Sequence, residues 1–187
     1  MKAISVTNIV NGSSRLQPVI IQIGQAAGLI AAKAAQQNTS PKDLNIRDLQ
    51  DFVLNYKGYL LPFIDVPTND PNFESIQKIG ATGILKGKGI PYKWANQTWF
   101  YPDTIIDVNE LLENLNEFDS KLDFQIKDKT LNIENAVNIV FEIDKKLERN
   151  KIKEESNLFI STIEKKWNKE FGLNNFAKKR EITKREF

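Results

Sequence analysis

The chain has no cysteine and no histidine in 187 residues. Without cysteine there is no disulfide, no thiolate nucleophile, no zinc ribbon and no iron–sulfur cluster. Without histidine there is no imidazole general base, no Ser-His-Asp triad and no imidazole metal ligand. Most self-contained hydrolase and metalloenzyme classes are therefore excluded, and no metal site is expected. Charge of one sign is also lacking: 26 Lys and Arg face 24 Asp and Glu, a net charge of +2. That is short of the strongly basic face a nucleic-acid partner requires, so none is expected. No run reaches about 18 uninterrupted apolar residues, which argues against a membrane span. The N-terminus shows no basic start followed by an apolar run and a small-residue cleavage site, so no export signal is read there.

The charge that is present is unevenly placed. Residues 142 to 187 carry 13 basic and 9 acidic groups, leaving a net −2 on the first 141. Acid and base alternate along 145–170, as on a solvated helical face. That stretch reads as a broken amphipathic helix with Ser156-Asn157 as the interruption.

The first segment, Ala3 to Ile9, is rich in β-branched residues and suits a strand. Asn11-Gly12-Ser13-Ser14 is a turn by composition, and Pro18 is placed as the first residue of a helix. From there to about Gln37 the sequence is apolar or small nearly all the way round. A helix without a polar face must be covered by other elements. Gly24 and Gly28, four apart among Ala26, Ala27, Ala31 and Ala32, each cost about 1 kcal/mol relative to alanine, which suggests a close packing demand. A second helix is expected from Ile46 to Tyr56, capped by Asn45 and carrying Ile46, Leu49, Phe52 and Val53 on one face. Residues 1–60 thus offer one heavily apolar helix and too little material to bury it.

Beyond residue 60 the character changes. Leu61 to Pro67 is extended and bracketed by prolines, and a helix is expected from Pro71 to Gly83. The glycine-rich turn 83–89 does not fit a phosphate loop: no Gly stands five residues before Gly87, and Lys88 is followed by Gly89 rather than Ser or Thr. Tyr92, Trp94, Trp99, Phe100 and Tyr101 cluster in a segment that reads as a short hairpin. Such aromatics either cover a small core or, flanked by amides, stack on sugars. Asp107 then caps a helix that buries Val108, Leu111, Leu112 and Leu115, with Glu110 in the capping-box position.

A repeat runs through this half. Phe100, Ile106, Asp107 and Glu110 recur at identical spacing as Phe176, Ile182, Thr183 and Glu186, with a weaker third instance at Leu131, Asn132 and Glu134. Each instance is an aliphatic residue followed by a helix cap, and the two strong ones add an aromatic anchor and a polar loop. The third helix start, at Thr183, is read as the beginning of an element cut short.

Two families are resembled. Residues 4–35, with Asn-Gly-x-x-Arg-Leu-Gln-Pro at 11–18 followed by Gly-Gln-Ala-Ala-Gly at 24–28, resemble the last strand, turn and helix of bacterial FAD-dependent oxidoreductases. Residues 63–111 resemble an S-layer-homology (SLH) repeat: Phe63-x-Asp65-Val66, a helix, Gly83-Ile84-Leu85-x-Gly87, then Phe100-x-Pro102 and the capped helix. Ile182 to Phe187 resembles the start of such a repeat's closing helix. Asp107-Val108-Asn109-Glu110 departs from the usual Thr-Arg-x-Glu of that helix.

These resemblances imply a fold that is mainly α with short β elements. Residues 1–60 would be the C-terminal fragment of a flavin domain, ending in its buried helix, and residues 61–187 an SLH-like helical region cut short at its C-terminus. They imply FAD as cofactor, held together with an N-terminal flavin-binding part of the same enzyme that carries the dinucleotide fingerprint. The cofactor-binding residues would be Ser14, Arg15, Leu16 and Gln17, because unpaired N–H groups at a helix start favour negative charge at N1 and the C2 carbonyl of reduced flavin. Pro18 has no N–H to give. On this reading the chain is inactive alone and no catalytic residue is assigned. The alternative is a cell-surface module without enzymatic activity that binds polysaccharide through Tyr92, Trp94, Trp99 and Tyr101.

Overall fold

A computed structural model of the chain describes residues 7, 12, 14, 16–93, 95–147, 152–153, 155–173 and 175–187. The expected strand at Ala3 to Ile9 lies, except for Thr7, outside the described residues. The described chain is mainly α with short β elements, and it divides into two units, Met1–Leu60 and Leu61–Phe187.

In the first unit, helix α1 (Gln17–Gln37) is followed by a single 3-10 turn at Pro41–Asp43 and by α2 (Ile46–Asn55). Pro18 lies in the first turn of α1, where its fixed φ suits a helix and its missing N–H costs nothing. The helix stops at Asn38, which adopts a left-handed φ of 49° and turns its N–H back to the carbonyls of Ala34 and Ala35. Asn45 caps α2 as the sequence predicts, its side-chain oxygen accepting the N–H groups of Arg47 at 2.8 Å and Asp48 at 3.4 Å. Lys33 of α1 lies over the Phe52 ring of α2, and Leu49 and Leu54 are buried, whereas Ile46 points to solvent.

That contact covers little of α1. Of its 21 residues only Ala34 is buried, and Ile21 is 71% exposed. Among the described residues nothing lies within 4 Å of a Cβ placed on Gly28, so none of them makes the close approach its small side chain permits. By length and composition alone this helix could cross a membrane, although no run in it reaches 18 uninterrupted apolar residues. Gln22 and Gln25 interrupt the run, but the aliphatic residues on either side keep its average apolar.

The second unit comprises α3 (Phe73–Thr82), β1 (Lys88–Tyr92), β2 (Ala95–Trp99), α4 (Val108–Phe118), α5 (Ile133–Lys146) and α6 (Ser156–Lys169). Strands β1 and β2 form an antiparallel hairpin from Lys88 opposite Trp99 to Tyr92 opposite Ala95. Gly89, read from sequence as part of a turn, therefore lies in a strand. Ser156 likewise begins α6 instead of interrupting a longer helix: α5 has already ended at Lys146, and Asp144 near its end accepts the N–H of Ile152 at 2.9 Å.

The hairpin is tied to the segment before α3. The Asp65 carboxylate accepts the N–H groups of Phe100 at 2.8 Å and Tyr101 at 2.7 Å, which holds Tyr101 at a left-handed φ of 57°. Phe63 and Phe100 meet in the core with ring centres 5.0 Å apart. Gln77, fully buried on α3, donates to the Leu61 carbonyl and accepts its N–H, so the start of the extended segment is fixed by a side chain, and two residues on Phe63 forms a parallel bridge to Thr98 of β2.

The three repeat segments come together at the centre of this unit. The Ile106 N–H donates to Ile182 O at 3.1 Å, the Ile182 N–H to Leu131 O at 2.9 Å, and the Leu131 N–H to Ile106 O at 3.1 Å, closing a ring. A second ring lies around the first: Val108 N–H to Lys129 O, Ile133 N–H to Arg180 O, and Lys184 N–H to Thr104 O. Ile106, Leu131 and Ile182 are all buried. The backbone thus has a pseudo-threefold arrangement about these residues, and each segment leads into a helix start at Asp107, Asn132 or Thr183.

Candidate functional site

The sequence places a candidate site at the start of α1. Leu16 is its N-cap, extended at φ −68° and ψ 140°, and no side chain caps the helix there. The first intrahelical bond runs from the Ile20 N–H to the Leu16 carbonyl at 3.0 Å. The amides at the front of a helix have no acceptor within it, and no acidic residue stands in this first turn to offset their positive end. Leu16, at 56% exposed, and Gln17 lie on the surface. Ser14 Oγ is buried without a hydrogen-bond partner among the described residues, an orphaned polar atom two residues before the cap. Arg15 lies outside the described residues.

This arrangement suits an anionic or electron-rich group: a helix start without a capping side chain or an acidic residue in its first turn, and one hydroxyl without a partner among the described residues. Such a group would fit Ser14, Leu16 and Gln17. Residues 1–53 match the family model of the FAD dependent oxidoreductases. The match takes in all of α1 and most of α2, so this segment is related to part of an FAD-dependent oxidoreductase. No curated protein and no solved structure matches the chain.

The aromatic residues of the second unit divide. Phe100 is core. Trp99 and Tyr101 stack with ring centres 5.7 Å apart and planes 21° apart, half-buried, and Trp99 Nε1 donates to Gln97 at 3.1 Å. Tyr92 lies at the other end of the hairpin, exposed, with Lys93 over its ring. Trp94 lies outside the described residues. The structure therefore brings two of the four proposed sugar-stacking residues together and leaves Tyr92 apart from them.

Beside Tyr101 runs a groove of about 720 Å³ whose walls include Lys86, Lys88, Asp107, Glu110 and Lys184. Lys184 donates to the Lys86 carbonyl at 3.0 Å, joining the repeat at the C-terminus to the glycine-rich turn. Sequence reading missed this groove. Its walls come from segments far apart in the chain, and only the coincidence of two strong repeats hinted that they meet. Among the described residues no cluster of acidic side chains could hold a metal ion.

Proposed function

We propose that this chain is the C-terminal portion of an FAD-dependent oxidoreductase, with α1 presenting its N-terminal end to the cofactor and residues 61–187 forming an appended SLH-like region. The observation that carries the reading is the state of α1: an apolar helix with one buried residue, an uncapped start free of acidic side chains, and a position inside the segment related to FAD-dependent oxidoreductases. A bare apolar helix of this length loses a large hydrophobic gain unless another surface covers it. The N-terminal flavin-binding part of the same enzyme would be that surface, and Gly28 would let it approach closely.

Bound FAD would supply the redox chemistry, with negative charge on its ring in the reduced form. Leu16 and Gln17 would point main-chain N–H groups toward that charge, and the aligned peptides of α1 would add their partial positive end. Ser14 Oγ would gain the partner it lacks, and Arg15 would add a full positive charge. The chain has no residue assigned to move a proton, and in isolation it would be inactive. The genomic DNA immediately upstream of the Met1 codon tests this reading. An open frame encoding a glycine-rich strand–turn–helix is the expected result; an upstream stop codon, with no such frame to join, would contradict it.

A second reading is favoured by the Trp99–Tyr101 stack on the edge of a groove carrying three lysines: residues 61–187 would bind polysaccharide. Pull-down on cell-wall and plant polysaccharides separates the two, since the oxidoreductase reading needs no retention there.

A further inference from the structure

The stretch between α4 and α5 is pinned at both ends and unpaired between them. At one end Leu122 is buried and its N–H donates to Asp119 O at 2.8 Å; at the other, Lys129 O accepts the Val108 N–H at 3.0 Å. From Asp123 to Lys127 exposure alternates: Asp123, Gln125 and Lys127 are exposed, and Phe124 and Ile126 are half-buried. A period of two is that of an extended strand with one face on the core. Gln125 Nε2 donates to the Asp123 carboxylate at 3.2 Å, as neighbours on the outer face of such a strand can.

Among the described residues no strand lies beside this segment, and the main-chain N–H groups of Phe124 and Ile126 have no acceptor. Lys146, the last residue of α5, occupies one edge: its ammonium lies over the Phe124 ring and donates to Asp123 O at 2.9 Å. In an extended chain the main-chain groups of successive residues point to opposite edges. The N–H and C=O of Phe124 and Ile126 therefore belong to the other edge, away from Lys146.

We propose that this second edge pairs, antiparallel and about a two-fold axis at Gln125, with the same edge of a second copy of this chain. The segment is complementary to itself in that register. Gln125 meets its own equivalent, Phe124 and Ile126 exchange main-chain hydrogen bonds with Ile126 and Phe124 of the second copy, and Asp123 lies opposite Lys127 on both sides of the axis. A lone lysine on an exposed edge repels a second copy of itself. Here the opposite charges stand equally far from the centre, so each meets its complement. The pairing is short, so the dimer is weak and gathers only at high protein concentration.

The chain has no cysteine, so Gln125→Cys places a single thiol on the axis. Residues directly opposite in a pair without mutual main-chain bonds lie about 4.5 Å apart at Cα, within disulfide reach. Lys129→Cys is the control, because the same register holds its two copies well beyond the limit of about 7 Å. Both full-length variants are oxidised mildly over a range of concentrations, with circular dichroism to follow folding, and linked dimer is read on non-reducing gels. The position of the link reports this edge, whereas mass alone would not separate it from association through α1. Gln125→Cys is expected to link about tenfold faster than Lys129→Cys. Adding Asp123→Lys or Lys127→Asp to Gln125→Cys sets like charges opposite each other and should slow linking about threefold or more; the two exchanges together should restore it. Equal linking at positions 125 and 129, or no recovery in the double exchange, overturns the proposal.

Discussion

The Asp65 carboxylate holds the backbone of Phe100 from 35 residues away, and through its second oxygen it also holds Tyr101. A carboxylate accepting two main-chain N–H groups does locally what a strand partner would do, and it keeps Phe100 directed into the core against Phe63. Replacing it leaves two part-buried donors without acceptors. Asp65→Ala is expected to lower stability by about 1–3 kcal/mol, and Asp65→Asn, which retains one acceptor, by less. Urea unfolding of both variants checks the order.

Gly87 is required by space. A Cβ there would run into the Phe63 ring and the Trp99 carbonyl, and neither is the loose end of a flexible side chain. Gly87→Ala is expected to cost about 1–3 kcal/mol, the usual range for overpacking a filled site. Gly89→Ala, where nothing lies within 4 Å, serves as the control and should be nearly neutral. Thermal melts of the pair distinguish the two.

Glu186 makes stability depend on acid. Burial pushes its carboxyl upward, but hydrogen bonds from Arg180 and the Thr183 N–H together with the Arg180 charge outweigh this and hold it below its ordinary value of 4.5. A depressed folded-state value means that the contribution is fully present above the unfolded value and is lost as pH falls through the folded one. The stability difference between wild type and Glu186→Gln should therefore be largest near neutrality and shrink below about pH 4.5. Denaturant melts at a series of pH values check the sign.

By length and composition α1 is apolar enough to cross a bilayer, and the oxidoreductase reading assigns its exposed surface to protein instead. The purified chain is expected to stay with the soluble fraction when floated with neutral or anionic phospholipid vesicles. Stable co-flotation, abolished by Ile21→Lys, would instead place α1 in lipid.

Sequence made the local features legible and left the long-range ones hidden. The ends of α1 near Pro18 and Asn38, the Asn45 and Asp107 caps and the hairpin aromatics are each announced within a few residues, because caps and turns are short-range chemistry. The repeat was visible as equal spacing from Phe100 to Glu110 and from Phe176 to Glu186, but not its consequence. Spacing cannot say that Ile106, Leu131 and Ile182 exchange main-chain hydrogen bonds in a ring. Alternating charge misled at Ser156: it continues across both α5 and α6, so the break between them was placed inside the second helix. At the candidate site, the missing cap of α1 follows from Leu16 at that position, whereas the orphaned Ser14 hydroxyl required coordinates.

The most direct measurement of the central claim is flavin retention by the purified 187-residue chain. After incubation with excess FAD and removal of free cofactor, the account predicts no yellow absorbance remaining with the protein, because α1 supplies only one edge of the cofactor's surroundings. Stoichiometric retained flavin would contradict it.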